Sequence, residues 1–125
     1  MEPTILILLI SALLITLLIE SVIVLPLFHK HCNSFSKLVI NFILINAITN
    51  LTLNTLIVIG IASANWLELI IPLIEAALFS YTGIKRSRKA IILICYIANF
   101  FSWAIGLPLI DILFAGNLGF LIPVF

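Results

Sequence analysis

The sequence predicts an all-α integral membrane protein: four transmembrane helices arranged as two antiparallel hairpins, with an internal duplication. Three observations carry this reading. Hydrophobic residues make up 64% of the 125-residue chain and charged residues 9%, against roughly 45–50% and 25% in globular chains. The few charges are clustered and leave long apolar blocks between them. Polar residues inside those blocks recur at matched positions in the two halves. The composition alone excludes several classes. A soluble domain of this size would lack the polar residues to cover its surface, and a disordered chain would be far more polar. Six basic residues and a net charge of +1 are too few for a surface that follows nucleic-acid phosphates. The expected medium is the lipid bilayer.

The apolar blocks set the elements in order. A helix rising 1.5 Å per residue needs about 20 residues to cross about 30 Å of hydrocarbon. The first span is placed at 3–28, apolar except for Glu20, and the second at 38–60, without charge. The third, at 65–84, holds Glu68 and Glu75; the fourth, at 90–114, holds Asp111. Barrel strands are disfavoured, because the runs are long and do not alternate. A secretory signal peptide also fails: the first charge is Glu2, there is no basic leader, and the apolar run from Pro3 is too long. Short linkers close the hairpins: His29 to Lys37, a turn of small residues from Gly60 to Asn65, and Lys85 to Lys89. Residues 1–60 form the first hairpin. Residues 61–125 form the second, with an apolar tail from Gly116 to Phe125 that is too short to span. The two pack as one bundle.

All six basic residues lie in the first and third linkers: Lys30, Lys37, Lys85, Arg86, Arg88 and Lys89. The positive-inside rule makes that side cytoplasmic. The expected localisation is the cell (inner) membrane, multi-pass, with both termini extracytoplasmic. Trp66 and Tyr81 fall where interfacial aromatic anchors belong.

Leu18-Ile19-Glu20 recurs as Leu73-Ile74-Glu75, and Asn46-x-x-Thr49 as Asn99-x-x-Ser102. Each half thus reads as a helix with Glu, a basic turn, and a helix with Asn followed by a small hydroxyl residue. Such halves would form a parallel repeat of the kind some transporters use.

Depth follows from counting. Glu20 and Glu75 each lie ten residues before a basic linker residue, and Asn99 ten and Asn46 nine after one. Ten helical residues rise about 15 Å, half the hydrocarbon thickness, so each span places one polar group near mid-membrane. Helical spacing gathers Asn46, Thr49, Asn50 and Asn54 on one face, Cys95, Asn99, Ser102, Trp103 and Gly106 on another, and Thr16 one turn from Glu20. Glu68, Glu75 and Thr82 align on the third span, near Pro72. These faces are expected inward.

An ionised carboxylate at the bilayer centre costs roughly 2.5–3.5 kcal/mol or more, and no Lys, Arg or His lies at the depth of Glu20 or Glu75. The carboxyls are therefore protonated, paired with a bound cation, or reached by water. Asn serves all three, as donor to a carboxylate or acceptor from a carboxyl. The candidate proton, ion or substrate site is Glu20, Glu75, Asn46, Asn50, Asn99 and Ser102. The pattern names no cofactor; a bound cation is the candidate it offers. Glu68 and Asp111 sit near the outer interface, within reach of water.

His29, His31 and Cys32 are soft ligands in a short loop, but nothing completes a four-ligand zinc site. Cys32 and Cys95 share no motif spacing, so no disulfide is expected. The sequon at Asn50 is inside a span. No HExxH, nucleophile–base pair or cofactor motif is present, so an enzyme is not expected. The favoured function is a small transporter or channel subunit for protons or cations, working as a homo-oligomer because four short helices enclose little volume. The alternative is a non-catalytic structural or assembly subunit of a larger membrane complex. The size and the glutamate in the first span resemble the small multidrug exporters; the duplicated hairpin and strong charge bias depart from that pattern.

Overall fold

The computed structural model describes residues 3–60 and 64–113, and these form four helices: α1 (Pro3–His29), α2 (Phe35–Val58), α3 (Ala64–Ser80) and α4 (Arg88–Leu113). Turn residues 61–63 and the tail expected at 116–125 lie outside the described residues. Three helices are long and apolar enough to cross a membrane: α1, α2 and α4. The third is shorter than the expected span at 65–84. Its 17 residues end at Ser80, where Tyr81 and Thr82 donate their N–H groups to the carbonyls of Leu78 and Phe79. Gly83 then takes φ +84°, which suits a residue without Cβ and turns the chain out of the helix. Thr82, aligned with Glu75 by spacing, is in that turn, its hydroxyl donating to Phe79 O at 2.7 Å.

Serines begin the second and fourth helices. The Ser34 hydroxyl accepts from Lys37 N–H, and the Ser87 hydroxyl accepts from Ala90 N–H. Each satisfies one donor that the first turn leaves open. Helix α1 packs on α2 and α4, and α3 packs on the same two, so the helices close into a ring. The two basic linkers meet at one end: Lys85 N–H donates to His31 O at 2.6 Å, and an Arg86 guanidinium N–H donates to Leu27 O at 3.3 Å.

The bundle has the polarity of a lipid-facing protein. Its surface carries large apolar side chains along every helix, among them Leu18, Val22, Ile43, Ile48, Leu69, Leu93 and Phe100, with Val22 74% exposed. Its interior holds Thr16, Glu20, Asn46, Thr49, Asn50, Asn54, Glu75, Asn99 and Ser102. In water that arrangement would be inverted; in lipid it satisfies polar groups between helices and leaves Leu and Ile to the acyl chains. Along the bundle the interior is layered. Nearest the basic linkers is an apolar block that includes Val24, Phe28, Leu38, Phe42, Phe79, Ile91 and Ile94. The rings of Phe28 and Phe79 are tilted against each other, centroids 5.3 Å apart. The polar layer follows. Beyond it, Leu8, Leu9 and Ile110 form a smaller apolar cluster.

Candidate functional site

The polar layer is built around two carboxyl groups, each on a residue only 1% exposed: Glu20 on α1 and Glu75 on α3. The four-residue helical repeat puts each on the inward stripe of its helix, below Thr16 on α1 and below Ile71 on α3. Glu75 is held from two neighbouring helices. The Thr49 hydroxyl of α2 donates to its Oε1 at 3.0 Å, and the Asn99 amide of α4 donates to its Oε2 at 2.6 Å. Both donors also have an acceptor on their own helix. Thr49 Oγ1 lies 2.8 Å from Ile45 O, and Asn99 Nδ2 lies 2.9 Å from Cys95 O. Glu20 and Glu75 are both buried in the same polar layer, with Thr16, Asn46, Thr49, Asn50, Asn99 and Ser102.

This cradle accepts either charge state of Glu75. A hydroxyl carries one proton. If Thr49 gives it to Ile45 O, Oγ1 can receive a proton from a neutral Glu75; if Thr49 turns it to Oε1, it supports a carboxylate. Asn99 donates to Oε2 in both cases.

The other expected residues fall on the same interior. Asn46 donates to Phe42 O at 3.1 Å. Asn50 donates to Asn46 O at 3.2 Å and to Asn46 Oδ1 at 3.3 Å. The Ser102 hydroxyl donates to Thr16 Oγ1 at 3.2 Å, joining α4 to α1. Asn99 thus reaches Glu75 from α4 to α3, and Asn46 is tied to its own helix through Phe42 O and Asn50.

Beside the Asn99 amide is a cavity of about 20 Å³ lined by Thr16, Asn50, Asn54, Ile71, Asn99, Ser102 and Trp103. That volume suits one water-sized guest with several polar neighbours. The amide nitrogens of Asn50 and Asn99 are turned to acceptors elsewhere, which leaves their carbonyl oxygens for the cavity. Asn54 is 7% exposed and lines the same space; among the described residues its amide has no hydrogen-bond partner.

Two residues outside the sequence-derived set matter. Thr49 touches Glu75 directly; the shared face with Asn46 and Asn50 was its signal. The Tyr96 hydroxyl donates to Leu69 O at 2.7 Å, binding α4 to α3 next to Pro72, and no sequence pattern marked it. Among the described residues no three His, Cys, Asp or Glu side chains converge on a metal-sized site. Instead, the His29 ring packs edge-on against Phe35, and the Cys32 thiol donates to His29 O at 3.2 Å. Both cysteines are free thiols. No protein-family model, curated protein or solved structure matches the chain.

Proposed function

We propose that the chain is a four-span protein of the cell (inner) membrane that binds and exchanges a proton or monovalent cation at Glu20 and Glu75, as a transporter or channel subunit. In this reading the shorter α3 crosses the membrane together with the turn that follows it. The basic linkers face the cytoplasm, and both termini lie outside. The subunit works as a homo-oligomer in the bilayer, the medium its surface matches.

One observation carries the reading: a buried carboxyl held by donors that do not need it. Thr49 and Asn99 keep backbone acceptors at 2.8 and 2.9 Å when Glu75 is removed. A residue kept to hold helices together would leave its partners unsatisfied on removal, and that is what makes such contacts expensive to lose. Here the ionisable group adds desolvation cost without being required for hydrogen bonding, the signature of an intramembrane acid retained for ion or proton traffic. The small cavity lined by Asn99, which donates to Glu75, gives a cation or a water a place one side chain away.

Reconstitution into liposomes tests this. The wild-type protein should dissipate an imposed proton or alkali-cation gradient. Glu75→Gln and Glu20→Gln, which keep size and hydrogen bonding, should stay helical and monodisperse yet lose that flux. Flux undiminished in both variants sinks the proposal. A non-catalytic membrane subunit remains the second reading, favoured by an apolar groove on the outer face of α1 and α4 lined by Leu18, Ile19, Val22, Ile23, Phe101 and Ile105, into which a partner helix would fit. Copurification with a fixed larger partner, without flux, would decide for it.

A further inference from the structure

At the basic end, where α3 stops at Ser80 and α4 starts at Arg88, a groove of about 410 Å³ opens between the two helices. Its floor is small and apolar: Ala76 and Ala77 of α3, flanked by Leu73, Ile84, Ile91 and Ile92. Its mouth is polar and positive, with Ser80, Tyr81, Arg86 and Arg88. Among the described residues no carboxylate lines it. Glu75, one residue before Ala76, points the other way, into the bundle interior. Arg86 is steadied by the Leu27 carbonyl of α1; among the described residues only one of its five N–H groups meets an acceptor. Tyr81, 90% exposed, stands at the rim.

We infer that this groove is a binding site for an anionic phospholipid of the leaflet at the basic end. The headgroup phosphate sits between Arg86 and Arg88, and one acyl chain lies over Ala76 and Ala77 toward Leu73. Three features select that occupant over a neutral lipid or a peptide. Guanidinium groups pair with phosphate oxygens by parallel N–H donors. Basic pockets between membrane helices on the positively charged side are where acidic headgroups bind. The narrow floor runs along the helices from Ser80 to Leu73, about 10 Å, and suits a chain rather than a side chain. The early end of α3 creates the space, because a helix continued past Ser80 would fill the groove mouth. The inference rests on the membrane reading and is independent of ion transport.

The test uses the full chain in neutral detergent, with native mass spectrometry and thermal unfolding as readouts. Dioleoyl-phosphatidylglycerol should bind more tightly than dioleoyl-phosphatidylcholine and raise the melting temperature more. Arg86→Gln and Arg88→Gln should each weaken phosphatidylglycerol binding about fivefold with little effect on phosphatidylcholine. Ala77→Leu, which fills the floor without altering charge, should weaken both lipids. The double variant Lys30→Gln/Lys37→Gln removes the same charge from the same end outside the groove and should keep the selectivity. Equal binding of the two lipids overturns the inference. So does an equal loss in the lysine variant, which would mean a diffuse basic surface, or full stabilisation by inorganic phosphate alone, which would mean an anion site without a chain. None of these outcomes bears on whether Glu75 carries flux.

Discussion

The two sides of the Glu20–Glu75 layer are built from the same kinds of helix but close it differently. Toward the basic linkers the interior is sealed by Val24, Phe28, Phe42, Phe79, Ile91 and Ile94, with the Phe28 and Phe79 rings in contact. On the other side the polar lining continues through Asn99, Asn50, Asn54, Ser102 and Thr16 around the small cavity before Leu8, Leu9 and Ile110 close it. A proton or cation leaving the carboxyls meets hydrogen-bonding atoms in one direction and hydrocarbon in the other. Under the proposed function this difference predicts a direction: exchange with the compartment opposite the basic linkers would be the easy step, and passage toward the linkers would require the aromatic block to move. Each of the following experiments breaks or sharpens that contrast.

The largest effect is expected at Glu75. Glu75→Leu removes the exchangeable group while Thr49 and Asn99 fall back on Ile45 O and Cys95 O. Flux should fall to the background of empty liposomes. Stability should change by no more than about 1 kcal/mol, since interhelical polar contacts in membranes average about 0.6 kcal/mol. A variant that loses its fold instead would mean that the polar layer holds the bundle together, and the contrast between its sides would then be one of packing alone.

Accessibility comes next. In a Cys32→Ser background, Asn54→Cys should react with a small membrane-impermeant thiol reagent added from the side opposite the basic linkers, at least about tenfold faster than native Cys95, which is buried against the aromatic block and reacts only as local opening exposes it. Reaction of Asn54→Cys only from the linker side reverses the assigned direction. Comparable rates at the two positions would erase the asymmetry.

A smaller effect is expected at Phe79. Phe79→Ala leaves up to about 100 Å³ of cavity in the sealed side, worth about 2 kcal/mol at ~24 cal/mol per Å³. The melting temperature should drop, and Cys95 should become reactive from the linker side. If stability falls while Cys95 stays protected, the seal does not depend on the aromatic pair.

How much of this was legible in the sequence follows from which signals are one-dimensional. Helix positions were legible, since charge clusters at 29–37 and 85–89 bound the apolar blocks. The inward face of α2 was legible too, because Asn46, Thr49, Asn50 and Asn54 recur at helical spacing, and all are buried; on α4, Asn99 and Ser102 are buried as expected but Trp103, grouped with them by spacing, is 41% exposed. The end of α3 was not. Hydropathy runs past Ser80, whereas the helix stops where Gly83 takes positive φ, a local choice that apolar residues do not announce. Which donor meets which carboxyl was not legible either. Glu75 takes one donor from Asn99 of α4 and another from Thr49 of α2, and depth alone does not single out either. Depth is read by counting residues; partnership depends on helix rotation, which counting does not fix.

The smallest effect is expected at Tyr96, and it bears on the side of the layer where α3 is weakest. Pro72 has no N–H, so the turn of α3 before it is short of one intrahelical bond. The Tyr96 hydroxyl reaches across from α4 to Leu69 O at 2.7 Å, three residues before that proline and two before the cavity-lining Ile71. The bond adds a tie between helices one residue from the carbonyl at position 68 that the proline leaves without its donor, and it fixes the spacing of α3 and α4 on the polar side. Tyr96→Phe keeps the ring and its packing and deletes only the donor. The cost should be about 0.6 kcal/mol, the average for a polar contact between membrane helices, with a melting temperature only slightly lower. Labelling should respond more than stability does. With α3 freer to bend at Pro72, Asn54→Cys should react faster while Cys95 stays protected, since the aromatic block on the other side keeps its contacts. If both positions become reactive together, the two sides of the layer open as one unit, and the direction assigned to exchange has no structural basis in α3.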